Sequence, residues 1–222
     1  MSRPVKGLLI KDLRLIFSQM KLSFVILVVW GMFMANSVKE IFFVPGYVAV
    51  FCSFLSFSTF SYDEFDNGAA YIFTLPIQRK DYVRAKYLLC VLLMVIPTII
   101  MTFITYAANM GAGGETALLD YLIAALTAIA IAFLLMAVES PLYIKFGQEK
   151  GRIVTMLSVG VVAAGFGVIG SLCKETADGM SAVNSISGMD SWMLILLMAA
   201  GVAVLTGVSY RISCVILERK QY

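Results

Sequence analysis

The residues able to do chemistry are gathered in one stretch, Tyr62 to Lys86, where Asp63, Glu64 and Asp66 precede Asn67-Gly68 and then Arg79, Lys80, Arg84 and Lys86. Carboxylates so close together can hold a cation, complement the positive end of a helix or meet a basic partner. They lack the ligand spacing of a calcium hand, which disfavours a metal site. The chain contains no histidine. That removes the commonest metal ligand and the usual general base, and with them zinc-protease, His-dependent hydrolase and haem-ligating chemistry. It also lacks G-x-x-x-x-G-K-S/T, so it has no P-loop with which to bind ATP itself. The nearest glycine cluster, Gly160 to Gly170, lies in an apolar run without the lysine. Cys52, Cys90, Cys173 and Cys214 have no short paired spacing and read as small apolar residues.

The charged stretch is set among membrane helices. Of all residues, 60% are hydrophobic and 14% charged, and the mean hydropathy is +0.90. A helix needs about 20 apolar residues to cross the bilayer core, where no water can satisfy an open backbone. Such stretches run from Leu22 to Val38, Ile41 to Ser61, Tyr87 to Asn109, Leu118 to Val138, Ile153 to Leu172 and Trp192 to Ser213. The fold class expected is all-α, a six-span polytopic membrane protein in a single domain over residues 1–222. The first span is too long, and too poor in small residues after it, to be a cleavable signal.

Basic residues set the orientation, since cytoplasmic segments carry the excess of Lys and Arg. They precede span one (Arg3 to Lys21), follow span two (Arg79 to Lys86), follow span four (Lys145, Lys150, Arg152) and close the chain (Arg211, Arg219, Lys220). Only Lys39 and Lys174 of the 17 basic residues fall on the other side. Both termini are therefore expected in the cytoplasm of a multi-pass cell-membrane protein. The net charge of +3 is accounted for by topology and lipid headgroups, with no nucleic-acid partner.

Residues 1–21 read as an interfacial elbow helix, with Val5, Leu9, Leu13, Ile16, Phe17 and Met20 on one side and Lys11, Arg14, Ser18 and Lys21 on the other. Span two carries Ser53, Ser56, Ser58, Thr59 and Ser61. Those hydroxyls either bond backbone carbonyls one turn back or line a partly wet pathway, with Ser53, Ser56, Ser58 and Thr59 as its candidates. Small residues four apart, in Ala124/Ala128/Ala132, Ala163/Gly167 and Ala199/Ala203/Gly207, suit close helix packing within the chain or between subunits. Glu139 and Asp120 are expected at span ends, within reach of water. With no buried charge pair at mid-membrane, an ion-coupled pump is disfavoured. The segment 173–191 reads as an exposed outer loop.

Acidic residues, a glycine, then Leu75-Pro76-Ile77 with Arg79-Lys80 and a further lysine opening span three resemble the ABC-2 type permeases of bacterial ATP-binding-cassette exporters. Pro141 to Arg152 (PLYIKFGQEKGR) is similar to a stretch in the small Gram-positive branch that includes permeases of the phenol-soluble-modulin exporter type. The resemblance implies two copies of a separate ATPase subunit, which holds ATP and Mg, and no cofactor on this chain. It implies a coupling loop over residues 62–86, with Asp63, Glu64, Asn67, Gly68, Tyr71 and Thr74 as the contact and Arg79 and Lys80 fixing the loop at headgroup level. It further implies a second permease chain, identical or paralogous, and export of amphipathic or hydrophobic peptides such as cytolytic or antimicrobial ones. The competing readings are a non-transporting scaffold, a secondary transporter and a membrane-embedded enzyme. The last needs facing catalytic groups that this sequence does not supply.

Overall fold

The computed structural model describes residues 3–19, 21–37, 43–64, 68–111, 116–175 and 191–219. They form α1 (Arg3–Gln19), α2 (Lys21–Ser37), α3 (Phe43–Glu64), α4 (Gly68–Ile72), α5 (Arg79–Gly111), α6 (Leu118–Glu175) and α7 (Ser191–Arg219), with no strand among the described residues. The all-helical expectation holds.

Among the described residues, four segments are long and apolar enough to cross a membrane: Phe43–Asp63, Arg79–Gly111, Leu118–Gly147 and Met198–Arg219. A fifth crossing arises only if Arg3–Ser18 and Lys21–Gly31, which meet at 70°, are taken as one broken span. The first expected span coincides with α2, the apolar arm of that broken pair. The fifth is helical within α6. Residues 176–190, most of the expected outer loop, lie outside the described residues.

The helices extend further than apolar content alone indicates. Helix α5 begins at Arg79, eight residues ahead of the apolar run, because one face of its first turns, Asp81, Tyr82, Val83, Ala85 and Lys86, is buried among neighbours while Lys80 and Arg84 stay exposed. Helix α6 continues through Pro141, and the expected loop at 141–152 reduces to one break at Gly147, with φ 73° and ψ −172°. That backbone region is open essentially to glycine alone, and other residues there cost on the order of 1–3 kcal/mol. Gly147→Ala is therefore expected to lower stability by about that amount, measured as a drop in thermal midpoint in detergent. An unchanged midpoint would mean that the break is not held by the glycine.

Helix α3 is the most enclosed crossing helix, packed between α5 and α6. Ala49 on α3 meets the row Ala128 and Ala132 of α6, whose small side chains let the two helices approach. Toward the charged end, Phe57 stacks on Tyr143 at 5.7 Å and Phe60 lies 6.2 Å from the same ring. The span-two hydroxyls bond backward within their own helix: Ser53 to Val50 O (2.7 Å), Ser56 to Cys52 O (3.0 Å), Ser58 to Phe54 O (3.1 Å) and Thr59 to Ser56 O (2.7 Å). Ser53, Ser56 and Thr59 are buried inside the chain. These backward bonds are the ones that the packing reading describes.

Candidate functional site

The site begins with α1. Its packed stripe is Val5, Leu8, Asp12 and Ile16, each three or four residues from the last. The stripe is rotated from the purely apolar one, so that Phe17 is exposed and a carboxylate, Asp12, lies between Leu8 and Ile16 on the buried face. Asp12 and Lys86 are each 1% exposed and Asp63 is 4% exposed. Three elements thus deliver charge to one point.

Lys86 Nζ on α5 lies 2.9 Å from Asp12 Oδ2 and 2.6 Å from Asp63 Oδ2. It also donates to Thr59 O at 3.2 Å and Thr59 Oγ1 at 3.1 Å. Lys11 Nζ lies 3.1 Å from Asp12 Oδ1 and donates to Asp63 Oδ1. The Tyr82 hydroxyl donates to Asp63 Oδ2 at 3.0 Å. The rings of Phe60 and Tyr82 flank the Lys86 ammonium at 5.2 and 5.5 Å, within cation–π range. Two ammoniums thus face two carboxylates, and the cluster is neutral overall. Neutrality and shared hydrogen bonds are what make buried charges tolerable, since each ion alone would cost several kcal/mol to desolvate. The quartet pins α1, α3 and α5 together.

The described chain resumes at α4, and ahead of Arg79 it exposes Tyr71, Thr74, Leu75 and Pro76 while Ile72 is buried. Gly68 is required there by close approach: a Cβ would sit 2.9 Å from Asp63 O. Helix α4 closes with Thr74 N and Oγ1 both donating to Tyr71 O, at 3.1 and 2.7 Å. The Tyr71 ring is 70% exposed, with Leu75 exposed beside it. At the far side, the Arg79 guanidinium donates to Leu217 O at 2.7 Å and Glu218 O at 2.8 Å. This satisfies the last carbonyls of α7 with a cation at the negative end of the helix. Lys80 reaches Glu218 at 3.4 Å. The segment is therefore braced at one side on α1 and α5, and at the other on α7.

The expected contact residues divide accordingly. Tyr71 and Thr74 are exposed, as a contact with a partner requires. Asp63 points inward and is occupied by Lys11, Lys86 and Tyr82. Arg79 and Lys80 grip the end of α7 rather than only standing at headgroup level. Asp66 and Asn67 lie outside the described residues, and Glu64 is described only as the last residue of α3. Sequence reasoning missed Asp12 and the pairing of Lys86. The available signal was an aspartate four residues from both Leu8 and Ile16, in the middle of the face the helix buries.

Glu139 is also placed differently from the expectation. The first arm of α6 runs on to Gly147, so Glu139 stands two turns inside it, 1% exposed. It shares the helix face that carries Met136 and Tyr143 into the core. Neither carboxyl oxygen has a hydrogen-bond partner among the described residues. Asp120, in contrast, is exposed near the start of α6.

The arrangement is one of packed charges beside a short segment that exposes Tyr71, Thr74 and Leu75, with no cluster of metal-ligating residues among those described. It can transmit force between helices. No curated protein and no solved structure matches the chain. A family model described as ABC-2 family transporter protein matches residues 7–218, almost the entire chain and all of the braced elements. With its several apolar crossings, the chain belongs to the ABC-2 transporter family, as a multi-pass membrane permease subunit.

Proposed function

We propose that this chain is the permease of an ATP-driven exporter in the small Gram-positive branch of its family, moving amphipathic or hydrophobic peptides out of the cell. Two permease chains, identical or paralogous, form the pathway, and two copies of a separate ATPase binding ATP and Mg dock beneath them. The observation that carries this reading is the bracing of α4 and the turn after it, residues 68–78. A push on Tyr71 or Leu75 is delivered through Asp63 to α1 and α5, and through Arg79 to α7. An ATPase that changes shape on binding nucleotide shifts a two-state permease only through such differential contacts. The excess of basic residues at this end sets it, with both termini, in the cytoplasm.

Asp63 acts here as the anchor of the coupling loop, and Tyr71, Thr74 and Leu75 are its docking surface. The hydroxyl row of α3 serves helix packing.

Coexpression with the ATPase encoded beside it, followed by purification through a tag on this chain, should yield a complex that hydrolyses ATP. Vesicles holding that complex should concentrate a labelled amphipathic peptide when ATP is added. A chain that purifies without ATPase activity favours a scaffold instead. An active complex that moves no peptide overturns the cargo alone. Tyr71→Ala with Leu75→Ala should cut ATPase retention at least tenfold while the permease inserts normally, since exposed aromatic anchors dominate such contacts, at about 2 kcal/mol or more each. Full retention would place the contact elsewhere.

A further inference from the structure

Beside the charged end lies a cavity of about 1020 Å³ between α5, α6 and α7. It is at the upper limit of ligand pockets, which run from roughly 300 to 1,000 Å³. Its walls offer a ligand almost nothing polar. The hydroxyl of Thr127 is bonded to Ile123 O and Ala124 O, and that of Thr206 to Val202 O. The Tyr87 hydroxyl is engaged by Ser209 and Ser213. Polarity is concentrated at one end, where Arg84 Nε donates to the Tyr210 hydroxyl at 3.1 Å. A guanidinium has five N–H donors. Tyr210 takes one, and Asp81 stands at 3.8 Å from another nitrogen. Donors remain there for an incoming anion.

The dimensions select the occupant. Along α7 the lining runs from Tyr210 to Met198. Twelve residues of helix rise about 18 Å, against about 15 Å for half of a 30 Å hydrocarbon core. The floor of this slot is the row Ala199, Ala203 and Gly207, all exposed. Small side chains leave the groove open, and a Cβ at Gly207 would meet nothing within 4 Å among the described residues. A one-leaflet apolar slot with a cation at its headgroup end matches an anionic phospholipid. A basic amphipathic peptide would meet Arg84 as a like charge.

We propose that the groove between α5, α6 and α7 is a binding site for one anionic phospholipid of the leaflet on the charged side, its headgroup on Arg84 and Tyr210 and its acyl chains along Ala199, Ala203 and Gly207. The site does not depend on which cargo the protein carries. It makes the packing of α7 against α5 and α6 sensitive to the lipid present.

The test is native mass spectrometry of the full chain in detergent, titrated with dioleoyl phosphatidylglycerol or dioleoyl phosphatidylcholine. One tight lipid is expected, with the anionic one favoured about fivefold, the effect of a single basic side chain on an anionic headgroup. Arg84→Gln should erase the preference but keep the lipid. Gly207→Leu should displace both lipids, because the new side chain fills the groove without touching the fold. Melting curves unchanged in the absence of lipid identify both variants as folded. Equal retention of the two lipids by the wild-type chain overturns the proposal, as does full retention in Gly207→Leu. So does saturation of the site by soluble glycerophosphoglycerol, which would make it a phosphate site, or binding of a cationic amphipathic peptide in place of lipid. If Gly207→Leu disrupts a dimer and leaves lipid binding intact, a second copy of the chain occupies the groove and the proposal fails.

Discussion

Lys86→Met is expected to destabilise the protein by about 3–5 kcal/mol, the usual cost of removing one partner from a buried ion cluster. Lys86 is 1% exposed and is the only cation contacting both Asp12 and Asp63 from α5. Its loss leaves two buried carboxylates sharing Lys11, and leaves Thr59 O and Thr59 Oγ1 without their donor. The methionine fills nearly the same volume, so packing is not the source of the effect. Adding Asp63→Asn restores the charge balance, because Lys11 and Asp12 then remain as a matched pair. The double variant should recover a substantial part of the loss, and this non-additivity identifies charge as the cause. Thermal unfolding in detergent of the single and double variants measures it. A single variant that melts with the wild type, or a double variant no better than the single, would show that the quartet does not hold α1, α3 and α5 together. If the exporter reading is right, Lys86→Met at permissive temperature also weakens the coupling of ATP hydrolysis to transport, since Asp63 then anchors the loop less firmly.

The second large effect has the opposite sign. Glu139 is 1% exposed with neither oxygen hydrogen-bonded among the described residues, and a buried polar group without a partner costs on the order of 1–3 kcal/mol. Glu139→Met keeps the side-chain length and helix propensity and removes that cost. The thermal midpoint should rise by the equivalent of about 1–3 kcal/mol. Glu139→Gln should gain much less, because its amide is equally unpartnered. A fall in midpoint with methionine would reveal a partner for the carboxyl that is absent from the described residues. A stabilised variant that loses transport would show that the carboxyl is retained for function at the expense of stability, the pattern expected of ionisable groups inside membrane helices.

That this is an all-helical membrane protein can be read from its residues, because the length and apolarity of a crossing helix are local properties that a single chain displays openly. The sequence also located α3, α5, the first arm of α6 and α7, and it singled out the stretch from Tyr62 to Lys86 as the place where chemistry concentrates. It also marked Gly68, Tyr71 and Thr74 in the segment between α3 and α5. What the charges do emerges only when the helices are packed together. Periodicity placed Phe17 on the buried face of α1 and was blind to Asp12, because a carboxylate in an apolar stripe is forbidden until an ammonium from elsewhere meets it, and Lys86 lies 74 residues away in the chain. The same holds for Asp63, which reads as a surface acid and is an internal anchor, and for Arg79, whose partners are the closing carbonyls of α7. Hydropathy ends a helix where charges begin, so α5 and the first arm of α6 appeared shorter than they are and Glu139 appeared wet. Apolar burial follows from local pattern, whereas the pairing of buried charges is set by which helices the fold brings together.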